Sequence, residues 1–591
     1  MLKNLEQTWD LDVFFPGGSK SPEFAAFLQE LEQELHTVAD LVVRKRSSLQ
    51  DWVELLTDIQ TIGNHLRHAS AFVACLNAQN VKDAEAQLLA GRIQQLAAAN
   101  ASVLTSLDEA ITALPEATWG ELLQSPELAP LAFNLQERRE RAAQMLAPEQ
   151  EKLVNSLSVD GYHGWSQLYS QVSGHLTIPI EQDGKTVYLS AGQAANRMSH
   201  ADRSVRQHVF ERWEKAWASI ADSCALALNH LAGYRLNLYE ARGWDNVLQE
   251  PMEQNRMRLE TLQAMWSAVD SRKPRLVKYL ERKQALLGLS GLSWHDVTAP
   301  IGHSDTRLTY DQAAPFVVEQ FNNFNPEMAD FAARAFRERW IESEDRPGKR
   351  AGGFCTSFPL AGQSRIFVTF SGSMGNLSTL AHELGHGYHQ HLMNELPPLS
   401  QRYAMNVAET ASTFAELIAL DAATELATNE QERLSLIEDK LQRSVALLMN
   451  IQARFLFETR FYAERKQGMV SVPRLNELMV AAQKQAFSDS LCEYHPHFWA
   501  SKLHFYNTNV PFYNFPYTFG YLFSAGVYAR AREEGAAFRS KYAALLQDTG
   551  RLRVEDLAMR HLGVDISRPE FWEKSVDFVT ADLDEFLRLT K

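Results

Sequence analysis

Along residues 22–141, apolar positions recur three and four apart through Ala-rich stretches, the period of amphipathic helices packed by one face. Asp108 and Pro115 read as punctuation between successive helices. The period breaks at 176–190, where two alternating stretches flank Gln182-Asp183-Gly184-Lys185. Asp-Gly supplies the positive dihedrals of a tight turn, so a β-hairpin is expected there. Helical periodicity returns from Ala191, with charged runs such as 211–215 that read as solvated faces. A second break runs from 345 to 370 and predicts two short strands, 354–358 and 365–370, joined by a turn at 361–364. Beyond Tyr388 the pattern is again helical, without the fixed period of a solenoid.

At 591 residues the chain exceeds what one core usually organises. The hairpin suggests a division into a helical scaffold lobe, 1–190, and a second portion, 191–591, that carries the chemistry. Hydrophobic residues at 45% and charged residues at 22% are ordinary for a globular protein, so disorder explains nothing. A formal charge of -15, without a long Lys/Arg run, opposes binding to nucleic acid or anionic membrane surfaces. The four cysteines, Cys75, Cys224, Cys355 and Cys492, are too dispersed for a metal knuckle or a disulfide framework and suit a reducing cytoplasm. The opening residues, Met1 to Gln7, lack the apolar segment of a signal peptide, and no run of 18 apolar residues follows. A cytoplasmic protein, monomeric or dimeric, is expected.

Candidate chemistry concentrates in 377–392, where Leu377, Leu380, Leu384, Tyr388 and Leu392 mark a helix with Asn376 or Ser378 as its cap. This helix carries His382-Glu-Leu-Gly-His386. Residues four apart share a helix face about 6 Å apart, so His382 and His386 can converge on one tetrahedral ion. Glu383 is rotated about 100° from them, beside the metal, where a general base belongs. Zinc lowers the pKa of its bound water to about 7, and a neighbouring carboxylate can take the proton. Gly385 and Gly387 inside the helix cost about 1 kcal/mol each and imply close packing against the backbone.

A catalytic zinc needs a third protein ligand. His389 lies at i+7 from His382, but three ligands strung along about 10 Å of one helix define a tetrahedron poorly. Glu409, on a second helix expected after Pro397-Pro398, is the preferred candidate. Glu416, two turns later, could orient a ligand histidine or be an exposed carboxylate.

The run His382 to His389 followed by Glu409-Thr-Ala-Ser-Thr413 resembles the zinc site of oligoendopeptidase F and its relatives, a group that includes thimet oligopeptidase and neurolysin. Similar stretches at 347–358 and 511–524 extend the resemblance from about residue 191 to the C-terminus. It implies a mainly α fold: a helical, neurolysin-like ellipsoid with a deep substrate channel, and a small β-sheet near the zinc. It also implies an endo-acting oligopeptidase for short unstructured peptides. The strand 365–370 could pair with an extended substrate by main-chain hydrogen bonds. His504, Tyr513 and Tyr517 are implied as transition-state stabilisers, ahead of Tyr521. The sequence departs from the thimet branch: no proline follows Glu409 in the motif, and Thr518 stands where that branch carries tyrosine. His495 and His497 read as ordinary polar residues near a turn. Two other readings remain: an exo-acting enzyme of the same zinc class, and a non-catalytic peptide-binding protein with a structural zinc.

Overall fold

The computed structural model of the protein describes residues 2–46, 48–182, 184–301 and 307–591. The fold is mainly α. Its described strands are β1 (Thr177–Gln182), β2 (Lys185–Ser190), β3 (Ile341–Glu342), β4 (Phe354–Phe358) and β5 (Gln363–Phe367). The chain forms two compact units, each assembled from three stretches. One comprises Met1–Met145, Thr306–Ala422 and Val527–Gly563, the other Leu146–Asp305, Ala423–Gly526 and Val564–Lys591. Both sides of the division expected at residue 190 therefore contribute to each unit.

In the first unit, long helices Pro22–Val42, Leu49–Gln79 and Ala84–Thr112 pack on one another. Ser21 caps the first by accepting from the Phe24 amide, with Pro22 in the opening turn. Ser48 and Asp51 form a reciprocal capping box on the second. Asp108, expected as punctuation, lies inside the third helix, where Arg138 Nε pairs with it at 2.8 Å. The break falls at Pro115, which precedes the helix Glu116–Gln124.

The three-stranded sheet of this unit has the order β3-β5-β4, with β3 parallel and β4 antiparallel to β5. The strand expected over 365–370 thus forms the centre of the sheet rather than a free edge. Its main-chain groups face β3 on one side and β4 on the other, which leaves β4 as an edge. Phe358 and Phe367 enter the same core cluster as Trp9, Leu56 and Phe72. Arg365, fully buried, donates to the Asp10 carbonyl at 2.9 Å and lies 4.4 Å over the Phe14 ring. The N-terminal helices are therefore the floor on which this sheet rests.

The second unit contains the expected hairpin, β1 antiparallel to β2 from Thr177↔Ser190 to Gln182↔Lys185. Gly184 supplies a φ of 72°, and Asp183 lies outside the described residues. The helix Arg203–Ser219 packs against β1. Its charged run is not uniformly solvated: Trp213 is buried and carries Glu214 inward, where His497 Nδ1 donates to it at 2.7 Å and His495 also pairs with it. These histidines are thus anchors for a neighbouring helix. Elsewhere Lys283 Nζ and Glu438 form a buried ion pair at 3.0 Å. No helix among the described residues is long and apolar enough to cross a membrane.

Candidate metal centre

The site is built on the helix Met374–Met393 in the first unit. Its cap is Ser373, whose hydroxyl accepts from the Asn376 amide; Asn376 and Ser378, the expected caps, sit inside the helix. Leu377, Leu380, Leu384, Tyr388 and Leu392 are buried as the pattern requires. Gly385 has a definite cause, because a Cβ there would stand 2.5 Å from the Ala411 carbonyl oxygen and 2.6 Å from Ser412 Cα. The helix Met405–Glu425 therefore crosses in backbone contact with the motif helix. A Cβ at Gly387 would meet the Phe331 ring at 2.9 Å. These close approaches explain two glycines that helix propensity disfavours.

Backbone contact at Gly385 brings Glu409 to the two histidines. Glu409 Oε2 lies 3.3 Å from His382 Nε2 and 3.8 Å from His386 Nε2. One donor atom from each of the three residues lies within 4.8 Å of the other two. Donors on a tetrahedral zinc with bonds of about 2.0–2.1 Å sit roughly 3.4 Å apart, so this set fits after small adjustments. Two imidazole nitrogens and one carboxylate oxygen also match the donor chemistry of a catalytic zinc.

The electrostatics suit ligation. Burial alone would raise the Glu409 pKa, but its contacts with His382, His386 and the Ser412 hydroxyl hold it at about 2, as an anion. Burial pushes the His386 imidazole down to about 4, so it is neutral with a lone pair to offer. Glu416 is buried, not exposed: its Oε2 accepts from His382 Nδ1 at 3.2 Å and its Oε1 from Ser378 Oγ at 2.6 Å. A proton held on Nδ1 leaves His382 Nε2 free for the ion. Ser412 Oγ donates to Glu409 Oε2 at 3.0 Å.

Glu383 stands beside this triad and outside it. It is buried, and its Oε2 has no hydrogen-bond partner. Burial lifts its pKa to about 7, His382 opposing and Glu409 adding to the rise. A carboxyl poised near neutrality is matched to exchanging a proton. Its Oε1 borders Gly353, the residue before β4, where a Cβ would lie only 3.0 Å away.

His389 is directed elsewhere. Its Nε2 donates toward Leu546 O and Thr549 Oγ1, at 3.1 and 2.9 Å, and its ring stacks on Tyr403 at 4.3 Å. Seven residues from His382 it sits about 10 Å further along the axis, in the next packing layer. His504, Tyr513 and Tyr517 belong to the second unit and form one aromatic row, with centroids 5.3 and 5.9 Å apart. His504 Nδ1 is buried without a partner; burial, with Arg454 and Lys502 nearby, lowers its pKa to about 4. Tyr521 is in that unit's core, its hydroxyl 2.9 Å from Ser444 Oγ. Sequence reasoning missed Ser378, Ser412 and Gly353, whose contributions come from contacts distant in the chain. It undervalued Glu416, for which the seven-residue spacing from Glu409 was the available signal.

Comparison with known proteins gives the chain's family and its relatives. A family model described as peptidase family M3 matches residues 197–578, and one described as oligopeptidase F matches 111–177. The chain is 22% identical over 525 residues to the group B oligopeptidase PepB of Streptococcus agalactiae, covering 87% of this chain and 85% of that protein. It is 21% identical over 600 residues to oligopeptidase PepF of Bacillus subtilis, covering 99% and 87% respectively. The crystal structure of oligoendopeptidase-F from Enterococcus faecium superposes with a TM-score of 0.71 at 16% identity, covering 96% of this chain and 98% of that one.

Proposed function

The chain belongs to peptidase family M3, and on that premise we propose that it is a zinc-dependent endopeptidase that hydrolyses internal bonds of short, unstructured peptides. The observation that carries the reading is the convergence of His382, His386 and Glu409 donor atoms within 4.8 Å beside an unpartnered Glu383 oxygen. Residues 191–591 then carry the catalytic machinery, with 1–190 in a supporting role. Four unpaired cysteines are compatible with work in the cytoplasm.

When bound, the ion supplies the Lewis acidity that activates a water and polarises the scissile carbonyl. Glu383 takes a proton from the attacking water and delivers it to the departing amine as the C–N bond breaks. Its buried Oε2, without a hydrogen-bond partner, is free to accept that proton and return it. Glu416 keeps His382 in the tautomer that faces the ion. The substrate backbone lies along the edge of β4, where main-chain hydrogen bonds tolerate many side chains and Gly353 leaves space beside Glu383.

The test is Glu383→Gln. Metal content should persist while hydrolysis of an end-blocked, internally quenched peptide falls about 10²–10⁴-fold. Unchanged turnover would remove Glu383 from the mechanism. Mass spectrometry of the products separates endo from exo action, because an exo-enzyme leaves a peptide blocked at both ends intact. A structural-zinc protein would turn over neither.

A further inference from the structure

The second unit contains a cavity of about 240 Å³ to which the proposed chemistry assigns no role. It is small beside the roughly 300–1,000 Å³ of sites for drug-sized ligands, and has the scale of a single amino-acid residue. Trp213, Trp294, Phe487 and Phe498 give it aromatic walls, with Trp294 edge-on to Phe498 at 5.1 Å. Lys502, His295 and His495 are its ionisable lining groups, and His495 is paired with Glu214.

The charge arrangement around this box is unusual for a chain with a formal charge of -15. The Lys502 ammonium lies 4.9 Å over the Phe498 ring, and among the described residues no carboxylate pairs with it. A second cation, Arg454, lies 5.2 Å from the same ring. Its hydrogen bonds go to neutral amides, Asn450 Oδ1 at 2.9 Å and Asn514 Oδ1 at 3.0 Å. Burial and the Arg454 charge push the Lys502 pKa down to about 8, the expected strain of a cation lacking its counter-charge.

His295 adds an independent sign. It is 2% exposed, yet neither ring nitrogen has a hydrogen-bond partner. The nearest carboxylates, on Asp296 and Glu493, stand off at 3.7 and 3.6 Å. Buried polar atoms without partners are rare and mark places where a ligand or water completes the bonding.

We propose that this cavity binds the C-terminal residue of a peptide, its apolar or aromatic side chain in the aromatic box and its free carboxylate on Lys502. Inorganic anions would leave the aromatic walls unsatisfied, whereas such a residue matches both halves of the lining. The peptidic origin of the ligand rests on the peptidase reading; the preference for an organic acid rests on the cavity alone.

The experiment uses the full-length protein, with N-acetyl-L-phenylalanine and its carboxamide as probes. Binding is followed by calorimetry and by the fluorescence of the tryptophans lining the cavity. The acid should bind about tenfold or more tighter than the amide. Lys502→Met should abolish that difference. Thr298→Trp, which fills the cavity from a wall without altering its charge, should weaken both probes. Equal binding of acid and amide, or no binding of either at millimolar concentration, overturns the proposal. So does retention of the acid preference in a folded Lys502→Met protein. Glu383→Gln should bind the acid as the parent does, so loss of hydrolysis and loss of acid preference are read separately.

Discussion

Glu416 is two turns from Glu409 on one helix, and accepts hydrogen bonds from both Ser378 and His382. Its effect on the ion is indirect, through the orientation and tautomer of an imidazole. Glu416→Gln should therefore lower zinc affinity about 10–100-fold, measured by competition with a chromophoric chelator, without changing the ligand set. Unaltered affinity would reduce Glu416 to a structural group. A different buried carboxylate tests stability. Asp296 has a fully buried side chain; burial alone would raise its pKa, but bonds from Arg203, Arg206 and the Ser293 amide hold it below the usual aspartate range. Its stabilising contribution is complete above the unfolded pKa near 4 and is lost as pH falls through the lower folded value. Asp296→Asn leaves Arg206 buried and unpaired, at a cost of about 3–5 kcal/mol near pH 7. Denaturant unfolding of both proteins should show that gap narrowing below about pH 4. A gap independent of pH would assign the loss to packing. Single residues were legible in the sequence where local spacing fixes geometry, as at His382, Glu383 and His386. Ser373, Ser412 and Gly353 were not, because their partners are defined only by the folded chain.

At the scale of elements, the crossing of two helices decides whether a third ligand arrives. Alanine normally improves a helix interior over glycine by about 1 kcal/mol. At Gly385 the new methyl would meet the Ala411 carbonyl and Ser412 backbone, so overpacking should outweigh propensity. Gly385→Ala is expected to cost about 1–3 kcal/mol in thermal or denaturant unfolding and to weaken zinc binding, since Glu409 rides on the displaced helix. Gly375→Ala is the control: its nearest atom outside the helix backbone and chain neighbours, Ser373 Oγ, would be 3.7 Å away, so no comparable loss is expected. If the two substitutions behave alike, close helix contact is not what positions Glu409. The helices and the β1–β2 hairpin were readable from periodicity and Asp-Gly. Sheet order was not, because β3 is two residues long and joins β5 in parallel across a distant connection. That addition turns β5 from an apparent edge into the centre, and leaves β4 as the edge proposed above for substrate pairing. Asp108 escaped its usual helix-ending tendency through Arg138, again a partner invisible in the local pattern.

The whole molecule sets a limit on how far the catalytic portion can be separated from the rest. The motifs all lie beyond residue 191, but their position in the sequence does not decide whether 191–591 can fold alone. The core argues that it cannot, because Phe358 and Phe367, beside the helix of the candidate metal site, share a cluster with Trp9, Leu56 and Phe72. Trp9 packs on Phe367 with centroids 5.7 Å apart, and its amide donates to the buried Glu342 carboxylate at 3.3 Å. Removing 1–190 would expose this face of the sheet and strip Arg365 of the Asp10 carbonyl it binds. Each large apolar side chain returned to water forfeits about 1.5–3 kcal/mol, so the loss of about five is comparable with the 5–15 kcal/mol that usually holds a domain together. A fragment comprising 191–591 should therefore show no cooperative thermal transition and no zinc-dependent peptidase activity. Co-expression with a 1–190 fragment should restore both if the two pieces can still share that core. A soluble 191–591 fragment that melts cooperatively and binds one zinc would show that the motif region folds without its N-terminal floor.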